Sequence, residues 1–276
     1  MATQLASRPL EPFGVEVDCD LRVPLNADQV EELRALYHTH KLLVFNGQSL
    51  TPEQQGAVMA HLGPVVTERD AAIISNDPKR DGALGNRELA FHVDMIFCEE
   101  PFGALSLHAL DVENGKTSTL YQNNIMAYDR LPQTTKDRIA SLKARAVWPN
   151  KSDGRSTFVE GVPYFDHPIA NRHPRTGEAT LFVSAMHTCD VLDMPKDEGE
   201  ALLDELIAEA SRPGNVHEHF WHVGDLVIWD NMSCSHARGA LSDVPRTLQR
   251  VSTGKGMAQV GDKYGEFLSY HFRAQA

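Results

Sequence analysis

Apolar residues recur at the helical period in four stretches of this chain. The run ADQVEELRALYHTH follows Asn26, and the segment that starts at Thr51 has a capping hydroxyl, a proline at the first helical position and a glutamine three residues after the cap. A third helix is predicted at about residues 123–142. A fourth is predicted over roughly residues 195–211, where Leu, Ile and Ala have helical spacing.

Short apolar runs between these helices predict strands. The candidates are KLLVF, GALSLHAL, TSTLY, ATLFVSA, HEHFWH, DLVIWD and RTLQRVST. Short strands joined by Gly, Pro and Asn turns are typical of a β-barrel or jelly roll. The expected fold is therefore mainly β with flanking helices.

Length and charge limit the possible functions. At 276 residues the chain can bury a sizeable core, and barrel and sandwich folds of this size are often single domains. No linker-like stretch divides the sequence, so residues 1–276 are expected to form one domain. The net charge of −12 argues against nucleic acid or an anionic membrane as a partner, because both require a basic face.

The sequence carries no evident targeting or membrane signal. No apolar run approaches the roughly 18 residues of a membrane span, and the segment MATQLASRPLEPFG lacks the layout of a secretory signal. The four cysteines are widely spaced, which argues against a disulfide framework or a thiolate zinc site. These features favour the cytoplasm and are compatible with a monomer or a homo-oligomer.

The run LAFHVDMIF places an imidazole and a carboxylate in an apolar stretch. In an extended strand His92 and Asp94 face the same way, so both can reach one metal ion. A charged Asp94 among apolar neighbours also requires a partner that offsets its desolvation. A lone H-x-D pair often arises by chance, and for the pair taken alone an ordinary half-buried histidine beside a turn-capping acid is the favoured explanation.

His236 is a third candidate ligand, 144 positions after His92 and just past the strand-like run GDLVIWDN. Two imidazoles and one carboxylate form the facial triad of non-haem Fe(II) enzymes that activate O₂, although zinc can use the same ligands. Trp229, Asp230 and Asn231 stand at the start of the same block. Their expected role is core packing and hydrogen bonding that orients the ligand.

A pair of arginines favours iron over zinc. Arg246 and Arg250 fall ten and fourteen residues past His236, and in a strand both guanidinium groups share one face. Arginine binds carboxylates through two parallel hydrogen bonds. One arginine can hold the distal carboxylate of 2-oxoglutarate and the other an acidic substrate, whereas a solvated strand face explains either arginine taken alone.

A second histidine cluster, formed by His217, His219 and His222, is expected to be structural. The first two residues form an H-x-H pair, but no carboxylate has a suitable spacing to join them as a metal ligand.

Five blocks in order resemble the taurine / 2,4-dichlorophenoxyacetate dioxygenase family of Fe(II)- and 2-oxoglutarate-dependent oxygenases. They are KLLVFNGQSLTPEQQGAVMAHLGPV, FHVDMIF, ENGKTSTLYQNN, HPRTGEATLFVS and GDLVIWDNMSCSHARGALSDVPRTLQR. They are similar to the family's strand, G-Q turn and helix, its W-H-x-D, G-x-T and H-P-x-T-G blocks, and its closing block. The resemblance covers most of the chain and implies a double-stranded β-helix core of the jelly-roll, cupin-like type.

The resemblance also implies the residues of the site. It makes His92, Asp94 and His236 the Fe(II) ligands. It makes Thr117 and Arg246 the groups that bind the C5 carboxylate of the cosubstrate 2-oxoglutarate.

Arg250 then faces the anion of a small substrate, and the apolar Met95, Ile96 and Phe97 line the rest of the pocket. The chain departs from the family pattern on this side. Phe91 stands where many members have Trp, Lys116 replaces a usual acidic residue, and a commoner polar pair after the aspartate is absent. The substrate therefore cannot be inherited from the family's name.

The implied reaction uses O₂ to convert 2-oxoglutarate to succinate and CO₂ and oxidises a C–H bond, most simply by hydroxylation. Asp94 argues against halogenation, because halogenating relatives carry a small apolar residue at that position. Desaturation and ring formation share the ligand set and stay open. Two other classes also stay open: a metal- or small-molecule-binding protein of this fold without turnover, and a zinc hydrolase with a general base beside the metal.

Overall fold

Strands dominate the computed structural model, which describes residues 5–66, 73–79, 83–260 and 264. In chain order the strands are β1 Ala6–Pro9, β2 Val15–Asp18, β3 Leu42–Phe45, β4 Ile73–Ser75, β5 Ala83–Leu84, β6 Ala104–Val112, β7 Ser118–Asn123, β8 Lys143–Val147, β9 Tyr164–Pro168, β10 Ala170–Arg172, β11 Ala179–Leu181, β12 Thr188–Val191, β13 Val216–Phe220, β14 Leu226–Asp230, β15 Cys234–Arg238 and β16 Arg246–Ser252. The helices are α1 Ala27–His40, α2 Pro52–Ala60, α3 Asn124–Arg130, α4 Gln133–Ile139 and α5 Lys196–Ala210. Short 3₁₀ turns lie at Pro213–Asn215 and Gly256–Val260.

The largest sheet joins eight of the described strands in the order β1-β2-β3-β14-β6-β16-β4-β5. Its pairs are antiparallel except β2 with β3 and β4 with β5, which are parallel. A three-stranded antiparallel sheet, β13-β7-β15, carries His236. Strands β12-β8-β9 and β10-β11 form two smaller sheets.

The main core lies where the large sheet meets the β13-β7-β15 sheet. Leu107 of β6 and Trp229 of β14 belong to one buried cluster with Tyr121 of β7 and Cys234 of β15. The ring centroids of Tyr121 and Trp229 are 5.3 Å apart. Burial of each large side chain stabilises the fold by roughly 1.5–3 kcal/mol. This packing therefore fixes the two sheets that carry the candidate site.

Helices α1 and α2 cover the other face of the large sheet. Leu33 of α1 and Met59 of α2 are buried in one cluster with Ile228 of β14. Val227 and Trp229, the neighbours of Ile228, belong to the inner core instead. Side chains of β14 thus alternate between the two apolar faces, as a buried central strand requires.

The capping signals predicted the first two helices correctly. Asn26 and Thr51 each accept a hydrogen bond from the backbone amide of a glutamine three residues on, and the Oε1 atom of that glutamine accepts one from the backbone amide of the cap residue. The fourth predicted helix is also confirmed, as α5. No helix of the described residues is long and apolar enough to cross a membrane.

The prediction of one helix at residues 123–142 is wrong. The chain forms α3 and α4 instead, separated by Leu131 and Pro132. Leu131 is extended, with a ψ of 140°, because a following proline disfavours the helical conformation.

Each predicted strand occurs, with altered boundaries. The run ATLFVSA forms only the three residues of β11 before the backbone leaves the sheet. Strands such as β15, with the sequence CSHAR, were not predicted, because they are too polar to resemble a core strand.

Candidate metal and cosubstrate site

The backbone brings His92 and His236 side by side. The amide of His92 donates to the carbonyl of His236 at 2.9 Å, and the reverse bond is 2.8 Å, in an isolated antiparallel bridge. Their ring centroids are 4.1 Å apart. Asp94 Oδ1 lies 3.4 Å from His92 Nε2 and 3.9 Å from His236 Nε2. These three residues, the His-Asp-His group, place one ligand atom each within 4.8 Å of the others.

Asp94 reaches this position from a turn. His92 forms only the isolated bridge, the chain turns at Asp94, and Met95 has a φ of 63°. The expectation that one extended strand presents both ligands is therefore wrong, although the two side chains do converge. A left-handed conformation is uncommon for a residue other than glycine and persists only where the surroundings hold it.

Asn231 holds this turn. Its Oδ1 accepts from the Asp94 amide at 3.0 Å, and its Nδ2 donates to the carbonyls of Asp94 and Phe102, each at 2.9 Å. Trp229 packs next to the group, with its ring centroid 4.8 Å from that of His236. The predicted packing and orienting roles of Trp229 and Asn231 are confirmed as contacts.

Asp230 anchors the neighbouring turn. Its Oδ2 lies 3.0 Å from His173 Nε2, and both side chains are buried. His173 Nδ1 accepts from the amides of Arg175 and Thr176, at 3.3 and 3.0 Å. Because Nδ1 accepts, Nε2 carries the proton and donates to Asp230. The segment that carries Asn231 is therefore fixed to the HPRTG turn.

Arg250 forms an ion pair with the carboxylate of the His-Asp-His group. Its Nη1 lies 2.8 Å from Asp94 Oδ2, so Oδ1 alone faces the imidazoles. Burial by itself raises the pKa of Asp94, but Arg250 and then His92 outweigh it and hold that pKa well below its usual range. Burial, and then the charge of His92, lower the pKa of His236. At neutral pH the group thus presents a carboxylate and a neutral His236, the forms that bind a metal cation.

His187 is a further buried residue beside this group. Its ring centroid lies 6.1 Å from that of His92 and 5.8 Å from that of Phe97. Its Nδ1 is 2.9 Å from the carbonyl of Val147, and burial lowers its pKa to about 4. The neutral ring therefore donates its Nδ1 proton to the Val147 carbonyl, and its Nε2 carries no proton. Sequence reasoning missed His187, whose only signal was its place directly after the apolar run LFVSAM.

The three apolar residues after Asp94 do not share one surface. Met95 and Phe97 belong to the main core cluster, whereas Ile96 is enclosed with Val93 in a separate one. The Phe97 ring lies 5.0 Å from that of Trp148. The structure therefore keeps Met95 and Phe97 together and does not bring Ile96 to them.

A small cavity, called here the polar cavity, is lined by Thr117, Arg238 and Arg246, among others. Thr117 and Arg246 are 4% and 6% exposed. Arg246 Nη2 donates to Thr119 Oγ1 at 3.1 Å. Among the described residues, Arg246 Nε and Thr117 Oγ1 have no hydrogen-bond partner. The structure thus brings together the two residues predicted to bind a carboxylate.

The polar cavity suits an anion. Burial, and then the charge of Arg238, lower the pKa of Arg246 to about 9. A buried cation whose hydrogen bonds are unmade is costly unless an anion pairs with it. A carboxylate satisfies both the charge and the hydrogen-bond donors.

The second histidine cluster has a carboxylate partner that sequence spacing concealed. Asp225 Oδ2 lies 3.0 Å from His219 Nε2 and 3.7 Å from His222 Nδ1. Sequence spacing did not predict this contact, because it forms only when the short turn after β13 folds Asp225 back onto His219 and His222. His217 Nδ1 instead lies 2.9 Å from the carbonyl of Glu11. In the part of the chain that is described, only the His-Asp-His group has metal-binding spacing.

Comparisons with known proteins agree with this geometry. A family model described as "Taurine catabolism dioxygenase TauD, TfdA family" matches residues 6–252. An alpha-ketoglutarate-dependent 2,4-dichlorophenoxyacetate dioxygenase from Cupriavidus pinatubonensis is 30% identical to this chain. The alignment covers 90% of this chain and 97% of the relative. An alpha-ketoglutarate-dependent sulfate ester dioxygenase from Pseudomonas putida is 27% identical, with 87% and 84% covered.

Solved structures are similar over the same length. AAD-2 in complex with Mn(II) and N-oxalylglycine has a TM-score of 0.80 and 26% identity, with 92% of this chain and 98% of that one covered. A taurine dioxygenase from Burkholderia xenovorans has a TM-score of 0.77 and 25% identity, with 91% of each chain covered.

The fold and the site define an α-ketoglutarate-dependent dioxygenase, that is, an enzyme that uses 2-oxoglutarate. More particularly, the chain belongs to the TauD/TfdA family. The predicted jelly-roll fold and enzyme class are confirmed. The class implies 2-oxoglutarate, O₂ and a metal, and the comparisons favour neither the non-catalytic nor the zinc hydrolase alternative.

Proposed function

We propose that this chain is an Fe(II)- and 2-oxoglutarate-dependent dioxygenase that hydroxylates a C–H bond of a small anionic substrate and releases succinate and CO₂. The observation that carries the proposal is the convergence of His92, Asp94 and His236 next to an arginine. We propose further that residues 1–276 act as one oxygenase domain, consistent with the family match over residues 6–252.

In this proposal His92, Asp94 and His236 bind one Fe(II). Two imidazole nitrogens and one carboxylate oxygen are the ligand set that would hold Fe(II) for the activation of O₂. Bound iron supplies the activation of O₂, coupled to decarboxylation of 2-oxoglutarate, that oxidises the C–H bond. Asn231 keeps the Asp94 turn in place, so Oδ1 stays directed at the two imidazoles.

Thr117 and Arg246 bind the distal carboxylate of 2-oxoglutarate in the polar cavity. Arg246 has a buried guanidinium whose Nε lacks a hydrogen-bond partner among the described residues. The buried hydroxyl of Thr117 likewise lacks a hydrogen-bond partner among these residues. The contact with Thr119 holds the Arg246 side chain in place before the ligand arrives. The cationic part of this carboxylate site is thus the first residue of strand β16, whereas the hydroxyl comes from the residue just before β7.

Arg250 binds the anionic group of the substrate while it also pairs with Asp94. It lies four residues beyond Arg246 on β16, and its contact with Asp94 places it beside the metal ligands. Met95 and Phe97 provide the apolar side of the same pocket. Support for an anionic substrate comes from the relatives named for 2,4-dichlorophenoxyacetate and sulfate esters.

Succinate formation tests the proposal. The protein is incubated in air with Fe(II), 2-oxoglutarate and a panel of small carboxylates, sulfonates, sulfate esters and amino acids. One class is expected to raise succinate formation in proportion to its own oxidation, and Asp94→Ala provides the control for iron bound elsewhere. Substrate turnover by zinc-loaded protein without O₂ or 2-oxoglutarate would contradict the proposal.

A further inference from the structure

The polar cavity contains an arginine to which the proposed function gives no role. Arg238 is the last residue of β15 and lies two residues past His236, so both side chains project from the same face of that strand. Two residues of a strand span about 7 Å. Arg238 therefore lies one step farther along this face than the metal ligand, in the wall that also contains Thr117 and Arg246.

One side of the Arg238 guanidinium is already bound to the protein. Its Nη1 donates to the carbonyls of Gly85 and Arg87, at 2.7 and 2.8 Å. Its Nε and Nη2 are buried and have no hydrogen-bond partner in the described part of the chain. These two nitrogens form the edge of the fork that a carboxylate binds side by side. The contacts of Nη1 hold that edge in a defined direction.

The described residues supply no anion to the polar cavity. No ion pair joins Arg238 or Arg246 to a carboxylate of the described residues. Four polar atoms lack partners there: Thr117 Oγ1, Arg246 Nε, and Arg238 Nε and Nη2. An ionised carboxylate has about four lone-pair sites for hydrogen bonds. One carboxylate therefore has enough acceptor sites for all four of these atoms.

We propose that Arg238 is a second arginine of the cosubstrate site, and that its Nε and Nη2 bind the distal carboxylate of 2-oxoglutarate together with Arg246 and Thr117. This inference rests on the proposed function and extends it. Two guanidinium groups at the far end of the cavity select 2-oxo acids that carry a second carboxylate over those that end in a methyl group.

Calorimetric titration of Mn(II)-loaded protein tests the role without turnover. The ligands are 2-oxoglutarate and 2-oxopentanoate, which has the same five carbons and a methyl group in place of the distal carboxylate. Arg238→Gln is expected to weaken 2-oxoglutarate binding by about tenfold or more and to leave the weaker binding of 2-oxopentanoate unchanged. A purely structural role would weaken both ligands equally.

Arg130→Gln is the matched control, because the exposed Arg130 also donates to a backbone carbonyl, that of Gly214 at 2.7 Å, but lies outside the polar cavity. It is expected to bind both ligands as the wild type does. If Arg238→Gln fails to fold, Arg238→Lys removes the fork but keeps the charge, and the same comparison of ligands applies with a smaller expected loss.

Equal weakening of both ligands, or no weakening of 2-oxoglutarate, would overturn the role of Arg238 alone. A wild-type protein that binds no 2-oxoglutarate would contradict the proposed function itself. The two failures are thus distinguishable in one set of titrations.

Discussion

At the His-Asp-His group, the charged side chains have partners within the protein. Asp94 pairs with Arg250 at 2.8 Å, and burial keeps His236 neutral at physiological pH. Arg238 and Arg246 both line the polar cavity, and no carboxylate of the described residues pairs with either. Within the described part of the chain, the carboxylate of the first region therefore has a cationic partner, whereas the two cations of the second region have no anionic one.

The two regions therefore differ in how they are preorganised for their ligands. In the His-Asp-His group the ion pair with Arg250 holds the carboxylate in place at little cost in stability before a metal binds. A cavity with unpaired cations costs stability, and an anion that enters it relieves repulsion as well as making hydrogen bonds. Cosubstrate binding is expected to stabilise the protein by about 2.7 kcal/mol when its concentration is a hundred times Kd, as for any ligand that binds only the folded state.

The largest effect is expected from Asp94→Ala, which removes the carboxylate that pairs with Arg250. The variant loses a metal ligand and leaves Arg250 without this carboxylate, so turnover should be abolished. Succinate formation and Fe(II) affinity are the measurements, with the exposed Asp129→Ala as a control. Wild-type iron affinity and activity in Asp94→Ala would show that the metal site is elsewhere.

Arg250→Ala is expected to reduce substrate-dependent turnover by about a hundredfold, because a misplaced C–H bond reacts slowly. Binding of 2-oxoglutarate to Fe(II), followed anaerobically through its metal-to-ligand absorption band, should persist. Arg250→Lys, which keeps the charge beside Asp94, should recover part of the turnover. If the band disappears in Arg250→Ala, Arg250 serves the cosubstrate, and the case for an anionic substrate is lost.

Arg246→Ala tests the polar cavity. Loss of a buried charged contact costs about 2–5 kcal/mol, so the KM for 2-oxoglutarate should rise roughly 30-fold or more. Fe(II) affinity should not change, because Arg246 touches no member of the His-Asp-His group in the described contacts. An unchanged KM would refute the role of Arg246.

Asn231→Ala should have the smallest of these effects, about a tenfold loss of metal affinity, as is usual for residues that orient ligands. It removes three hydrogen bonds to the backbone at Asp94 and Phe102. Asn114→Ala, which removes an exposed bond to the Val223 amide, is the matched control. A loss of thermal stability with unchanged metal affinity would assign Asn231 to folding only.

Local signals predicted the parts of this fold that depend on local interactions. The caps at Asn26 and Thr51 act through residues three positions away, and both helices start where they should. Pro132 is a local signal for a helix break, but the helical spacing of residues on both sides of it led to the prediction of one continuous helix. Polar strands such as β15 depend on distant partners, and no local pattern reveals them.

The candidate site was predicted as a set of residues but not as a geometry. The resemblance of five blocks named the three residues that converge in the His-Asp-His group, while the assumed strand through His92 and Asp94 is a bridge and a turn. Arg238 was missed because an arginine at the end of a polar strand has no distinguishing pattern. Its significance depends on Thr117 and Arg246, which lie far away in sequence and line the same cavity.

The backbone bridge between His92 and His236 has a consequence for the order of events during maturation. Its two hydrogen bonds close a loop of 144 residues, and such closure is slow and entropically costly compared with local contacts. If the proposed metal site is correct, the unfolded chain has no preformed set of ligands, and metal affinity develops only once this bridge has formed. Metal loading is then expected to follow folding, and an incompletely folded chain is expected to stay metal-free and inactive toward O₂.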